Sequence, residues 1–217
     1  VMNVNDWWIY LIFALACYFL CNFNFAIFFT KKIKKEDIRS KGSGNPGTTN
    51  VFRVYGYKMG LLIFVFDMGK GLVCALAGYL IFGALYGNEL DARFFAYVGG
   101  LCAGLGHVFP VVYNFRGGKG FATGIGVFLV ADPVFAAIGL VIGVVVLLIT
   151  DRMSVFALFF FVALCIESAI TMLPEKWMLF ILVVLYCAMV VYAHRSNIKR
   201  LIKGNENPSG IRKMFRK

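Results

Sequence analysis

Three polar islands interrupt an otherwise apolar chain, and each combines residue types that handle phosphate or a hydroxyl group. The first reads Gly42-Ser43-Gly44-Asn45-Pro46-Gly47-Thr48-Thr49-Asn50, followed by Val51, Phe52 and Arg53. Glycines permit positive φ and let successive backbone N–H groups converge on one anion. Thr48, Thr49 and Asn50 suit the start of the second apolar segment, whose positive dipole end would face that anion. Arg53 lies one turn further on, where its guanidinium can fork onto the same group. The second island holds Gly106-His107-Val108-Phe109-Pro110 and then Asn114-Phe115-Arg116-Gly117-Gly118-Lys119-Gly120. It again places glycines and a cation at a helix entry. Neither island is a Walker A loop: Thr48 stands after Gly47 where a lysine is required, and Tyr113 occupies the first glycine position of the second. His107 suits either a phosphate contact or a structural bond to a loop. The third island runs from His194 through Asn197 to Glu206, and His194, Asn197 and Ile198 share a helix face at i, i+3 and i+4. A basic amphipathic helix leaving the lipid accounts for its lysines but not for His194 and Asn197 together.

The elements that must position these islands are membrane spans. The chain has 217 residues, 60% hydrophobic and 15% charged, against about 25% charged in ordinary soluble domains. Its apolar residues come in runs near the length that crosses a bilayer. The first run, Trp7 to Phe29, exceeds a signal-peptide core. Seven spans are expected, at roughly 7–30, 53–82, 93–110, 119–131, 133–150, 154–172 and 176–194, in one all-α transmembrane domain over residues 1–217 with a basic tail from about 195. The fourth is short, so five spans with a re-entrant middle hairpin is the alternative. With the C-terminus cytosolic and the N-terminus outside, 19 of the 22 lysines and arginines fall on the inner side, a strong positive-inside bias. All three islands then face the cytosol. The net charge of +11 is read as topology and attraction to anionic lipid rather than nucleic-acid binding. The six cysteines lie inside apolar runs without a CxxC pair, which implies no zinc site and no disulfide framework. Within spans, Asp67 and Lys70 at i, i+3 read first as a structural pair, and Glu167 needs either a neutral state or a partner, for which Lys70 is a candidate.

Together the islands resemble the PlsY family of bacterial acyl-phosphate:glycerol-3-phosphate acyltransferases. The first is similar to Gly-Ser-Gly-Asn-x-Gly-Ala-Thr-Asn-x-x-Arg, the second to Gly-His-x-Phe-Pro…Phe-x-Gly-Gly-Lys-Gly, and the third to His-x-x-Asn-Ile-x-Arg-Leu-x-x-Gly-x-Glu. Asp67-x-x-Lys70-Gly71 fits as well. Thr48 stands where alanine is usual. The family's Thr-Arg-Tyr-x-Ser is matched by Thr150-Asp151-Arg152-Met153-Ser154, with Ser154 aligned and the arginine displaced by one position. The resemblance implies a multi-pass enzyme of the bacterial cell membrane with its site on the cytosolic face. It implies transfer of an acyl chain from acyl phosphate to the 1-hydroxyl of glycerol 3-phosphate, giving lysophosphatidic acid and phosphate. The donor is already an activated mixed anhydride, so no metal or cofactor is expected, and no obligate protein partner is evident. Arg53 and Lys119 would hold phosphates. Ser43 and Asn197 would position the reacting groups, and His194 would receive or orient the hydroxyl. Backbone N–H groups of the Gly42–Gly47 and Gly117–Gly120 loops would stabilise the oxyanion. Gly44, Asn45, Thr49, Asn50, His107, Gly118 and Ser154 complete the expected substrate contacts. A transporter for an anionic solute is the competing class. It would place its cationic nests at mid-membrane in related halves, whereas no internal repeat is visible here.

Overall fold

In the computed structural model, residues 4–211 are described, and all regular structure among them is helical. The basic tail residues Arg212, Lys213, Arg216 and Lys217 lie outside them. The principal helices are α1 (Trp7–Asn22), α2 (Phe25–Phe29), α3 (Thr48–Tyr55), α4 (Tyr57–Tyr86), α5 (Glu89–Val108), α6 (Phe121–Ala131), α7 (Pro133–Thr150), α8 (Met153–Met172), α9 (Trp177–Ala193) and α10 (Arg195–Ile202). Among the described residues five segments are long and apolar enough to cross a membrane: Trp7–Lys34, α4, Glu89–Tyr113, α7 and α8. A sixth results if α9 and α10, bent by 60°, are taken as one span. The expected fourth span is the exception. At 11 residues, α6 is about 16 Å long at 1.5 Å per residue, roughly half of a 30 Å hydrocarbon core.

That shortness recesses the second island. Arg93, near the start of α5, donates from Nε to the Ala131 carbonyl at 3.2 Å and pairs with Asp132 at 3.7 Å. The C-terminal end of α6 is thereby tied to the end of the bundle away from the islands. Its N-terminus, preceded by Lys119 and Gly120, consequently lies about 16 Å along the bundle from that end. The α4 and α6 backbones touch: a Cβ on Gly126 would lie 2.0 Å from the Met68 carbonyl oxygen, and one on Gly71 would lie 2.1 Å from that of Thr123. Lipid tails are as apolar as the side chains and give helices no hydrophobic drive to associate, so such small-residue contacts are a main source of helix packing in a bilayer. Around them α5, α8 and α9 close a core that includes Phe128, Phe160, Phe161 and Tyr186.

The first island does not begin the second span. Gly56, at φ 84° and ψ 177°, breaks the chain between α3 and α4, so Thr48–Tyr55 is a separate helix. The first span is also broken, at Phe23-Asn24. Lys70 Nζ donates to the carbonyls of Cys21 at 3.2 Å and Phe23 at 3.0 Å, capping α1. Asn24 caps α2 through Oδ1 and donates from Nδ2 to the Pro46 carbonyl at 3.0 Å, which fastens the first island to the bundle. Lys70 pairs with Asp67 at 3.4 Å, as their spacing suggests. It is not the partner of Glu167, whose Oε1 accepts instead from Thr171 Oγ1 on its own helix.

Candidate active site

The three islands converge on a cavity of about 230 Å³. Twelve of the sixteen residues singled out from the sequence line it: Ser43, Asn45, Gly47, Thr49, Asn50, Arg53, His107, Lys119, Gly120, Ser154, His194 and Asn197. Gly42, Gly44, Gly117 and Gly118 do not. A second, more polar groove of about 600 Å³ carries Gly44, Gly117, Gly118, Arg39, Arg116, Arg195 and Arg200, and shares Ser43, Asn45 and Lys119 with the first. The two openings therefore meet at those three residues.

The glycine loops work differently from an open nest. Gly42, Gly44 and Gly120 have positive φ, whereas Gly47, Gly117 and Gly118 do not. Most of the loop N–H groups are already engaged. Gly44 N–H donates to the Lys41 carbonyl, Gly47 N–H to Asn45, and Ser43 N–H to Asn50 Oδ1 at 2.9 Å. Gly117 and Gly118 N–H donate to the carbonyls of Val108 and His107. Asn50, with Nδ2 on the Lys41 carbonyl at 2.9 Å, ties its own loop together. The loops thus act partly as braces: of the expected oxyanion donors within them, the N–H groups of Ser43, Gly44, Gly47, Gly117 and Gly118 are occupied. Free donors remain at the N-terminal turns of α3 and α6, where helical N–H groups have no partner within the helix. Both turns open on the cavity, through Thr48 and Thr49 and through Phe121 and Ala122. Two positive dipole ends therefore face one space.

The cations and polar side chains are linked. Lys119 Nζ donates to Asn197 Oδ1, and Asn197 Nδ2 donates to Glu206 Oε1 at 2.7 Å. Ser154 Oγ donates to the same oxygen at 3.0 Å, and Arg200 Nε donates to Oε2 at 2.7 Å. Burial pushes the Glu206 pKa up, but these hydrogen bonds from Asn197, Arg200 and Ser154 win and hold it below the usual carboxylate value. Because Glu206 Oε1 accepts from Asn197 Nδ2, the Asn197 amide is oriented with its oxygen toward Lys119. Burial, reinforced by Arg200, draws Lys119 down to about 8. His194, the first residue beyond α9, is buried, and its Nδ1 lies 2.9 Å from the Val190 carbonyl oxygen. A carbonyl only accepts, so Nδ1 carries the hydrogen and Nε2 keeps the ring's lone pair. Burial, with the Lys119 ammonium nearby, lowers His194 to about 4. His107 is buried with Nδ1 3.7 Å from Asp67 Oδ1, and Gly118 packs on its ring so closely that a Cβ there would sit 2.1 Å from Nε2. It serves as a platform for the second loop.

Several site residues carry no chemical signature of their own in the sequence. Tyr186 donates to the Gly120 carbonyl at 3.1 Å and pins the start of α6. Phe64, Ile125, Leu140, Val144, Met153 and Phe156 give the cavity an apolar arm reaching toward α7. Glu206 stood within the third motif, so its position was visible though its role was not. Arg152, whose alignment departs from the family, does not line the cavity. Among the described residues no group of three or more His, Cys, Asp or Glu side chains is arranged to hold a metal ion.

A cavity with an anion-binding end and an apolar arm, inside a helical membrane bundle, defines the class of membrane protein that handles a charged head and a fatty chain together. The chain belongs to the glycerol-3-phosphate acyltransferase family, whose model matches residues 11–204. A relative from Finegoldia magna named glycerol-3-phosphate acyltransferase is 38% identical over 200 residues, 92% of this chain and 96% of its own length. One of the same name from Thermoanaerobacter sp. is 36% identical over 91% of this chain and 94% of its own. The crystal structure of PlsY, an integral membrane glycerol 3-phosphate acyltransferase, in its glycerol 3-phosphate form superposes with a TM-score of 0.79 at 30% identity, covering 92% of this chain and 94% of that one. The lysophosphatidic acid form gives 0.77 at 28% identity over the same shares.

Proposed function

We propose that this protein transfers an acyl chain from acyl phosphate to the 1-hydroxyl of glycerol 3-phosphate, releasing lysophosphatidic acid and inorganic phosphate on the cytosolic side of a bacterial cell membrane. The observation that carries the reading is the junction of the two openings at Ser43, Asn45 and Lys119. A dianionic, water-soluble acceptor suits the arginine-lined groove, and a lipid-soluble acyl donor suits the apolar arm. The charge lopsidedness of the chain supports the cytosolic placement.

In this mechanism Arg53, Lys119 and the N-terminal turns of α3 and α6 hold the phosphates and stabilise charge on the acyl oxygen. One well-placed oxyanion donor contributes about 2.7–4 kcal/mol. Asn197, oriented by Glu206, keeps Lys119 in place, and Ser43 positions the reacting carbonyl. His194 Nε2 accepts the hydrogen of the attacking hydroxyl and aims its oxygen at the acyl carbon. The new carbon–oxygen bond forms as the anhydride carbon–oxygen bond breaks. Burial and the nearby Lys119 ammonium make the His194 ring a weak proton acceptor, whereas cleavage of the anhydride leaves negative charge on the phosphate oxygen. The hydroxyl hydrogen therefore passes from its hydrogen bond on Nε2 to the departing phosphate, and His194 acts by orientation.

Purified protein in detergent or nanodiscs, supplied with acyl phosphate and glycerol 3-phosphate and assayed for phosphate and lysophosphatidic acid, tests the reading. Release of both products should depend on both substrates. Failure of acceptor-dependent release would refute it, and so would turnover with an acyl thioester but not with acyl phosphate.

A further inference from the structure

The last described residues form a strap across the site. Beyond Gly204 the chain passes the segment matched by the family model, yet it does not leave the protein surface. Glu206 is buried among Ser154, Asn197 and Arg200, and Ser209 is 1% exposed. Ser209 N–H donates to the Asp151 carbonyl at 2.7 Å, its hydroxyl donates to the Asp151 carboxylate, and the Ile211 N–H donates back to Ser209 Oγ at 3.0 Å. Between these two anchors the carbonyls of Asn207 and Pro208 face Arg53, which donates to them from Nη2 at 3.3 Å and from Nε at 2.9 Å.

We propose that residues 205–211 are a strap that positions Arg53 for phosphate, and that Asp151 and Ser209 are its latch. The guanidinium is a planar, rigid fork of five donors. Two donors fixed on the strap set its plane and leave three for the cavity that Arg53 lines. The nature of the acceptors matters. Glu206 and Asp151 are the nearby carboxylates, and a pairing with either would neutralise the charge that a phosphate needs. Neutral carbonyls orient the fork and leave its charge available. Pro208 stiffens the segment that presents them, through its fixed φ and its restriction of Asn207. Asp151 is also the position at which this chain departs from the Thr-Arg-Tyr-x-Ser pattern, so the latch is built from a residue that the resemblance did not supply.

This inference rests on Arg53 being a phosphate contact, and the test separates the two ideas. Binding of glycerol 3-phosphate is titrated calorimetrically to the full-length protein and to Asp151→Ala, Ser209→Ala and Asp151→Asn. The alanine variants should bind about two- to tenfold more weakly, the equivalent of leaving one long side chain unordered. KM should rise in parallel while kcat stays within about twofold, because the strap touches no reacting atom. Asp151 has a left-handed backbone at φ 51°, which asparagine tolerates, and Asp151→Asn keeps an acceptor for Ser209, so it should behave as wild type. In an Arg53→Lys background, which lacks the fork, the alanine variants should have no further effect. Unchanged or tighter binding in the alanine variants overturns the proposal, as does an equal loss in the Arg53→Lys background. If those variants fail to fold, Pro208→Gly, which loosens the strap and leaves the latch intact, must show the same weakening. Wild-type protein that binds glycerol 3-phosphate without acyl transfer sinks the enzymatic reading alone, since the binding series still reports on the strap. Wild-type protein that binds neither glycerol 3-phosphate nor inorganic phosphate overturns both.

Discussion

Lys119 gives the sharpest prediction, because its charge is both needed and strained. Its ordinary value is 10.5, and burial near Arg200 draws it to about 8. That displacement corresponds to about 3 kcal/mol against the charged form, with the opposing pull of the Glu206 carboxylate already included. A bound phosphate offsets it by supplying the missing counter-charge. The sign follows directly. The group is charged below about 8 and neutral above it, so the free enzyme loses phosphate affinity as pH rises through that value. The profile of kcat/KM for glycerol 3-phosphate should therefore bend downward near pH 8 and fall about tenfold per unit beyond it. In the substrate-saturated enzyme the phosphate holds the proton on Lys119, so the bend in kcat should lie at higher pH. Lys119→Arg keeps the charge at every accessible pH. Its activity should be lower because the fork does not reproduce a point charge, but its kcat/KM should lack the bend. Initial rates of phosphate release from pH 6 to 10 at saturating acyl phosphate make the comparison. An identical descending limb in wild type and Lys119→Arg would refute the assignment of that limb to Lys119.

Two further predictions follow from the same geometry. His194→Gln retains an acceptor for the glycerol hydroxyl, so it should raise KM for glycerol 3-phosphate with kcat within about tenfold of wild type. A fall in kcat of about 10² or more, the scale of general-base loss, would restore the proton-accepting role to His194. Gly118→Ala places a methyl group on the His107 ring and should displace the second loop, raising KM. The double variant His107→Ala/Gly118→Ala opens that space and should recover part of the loss, and steady-state kinetics on the two variants would show whether it does.

The membrane class and the three islands were legible in the sequence because each rests on local pattern. Apolar runs near 20 residues report spans, and glycine beside cation at a helix entry marks the segments that meet at the cavity. The family could be reached from the motif order alone. What the sequence did not reveal is how the backbone groups are used. Gly117 and Gly118 read as oxyanion donors, but their N–H groups are engaged by His107 and Val108, and whether a donor is free depends on what packs against it. The half-length of α6 was visible as a short run. Its consequence, a site recessed into the bundle, follows only from the Arg93 contacts that tie its far end. Lys70 had two candidate partners within spans, and packing decided for Asp67 and the α1 carbonyls over Glu167. The C-terminal segment shows the difference most clearly. Its composition marked a basic tail suited to lipid, and nothing local distinguishes Ser209 from any exposed serine. Only the fold brings Asp151, more than fifty residues earlier in the chain, beneath it, turning that tail into a strap over Arg53.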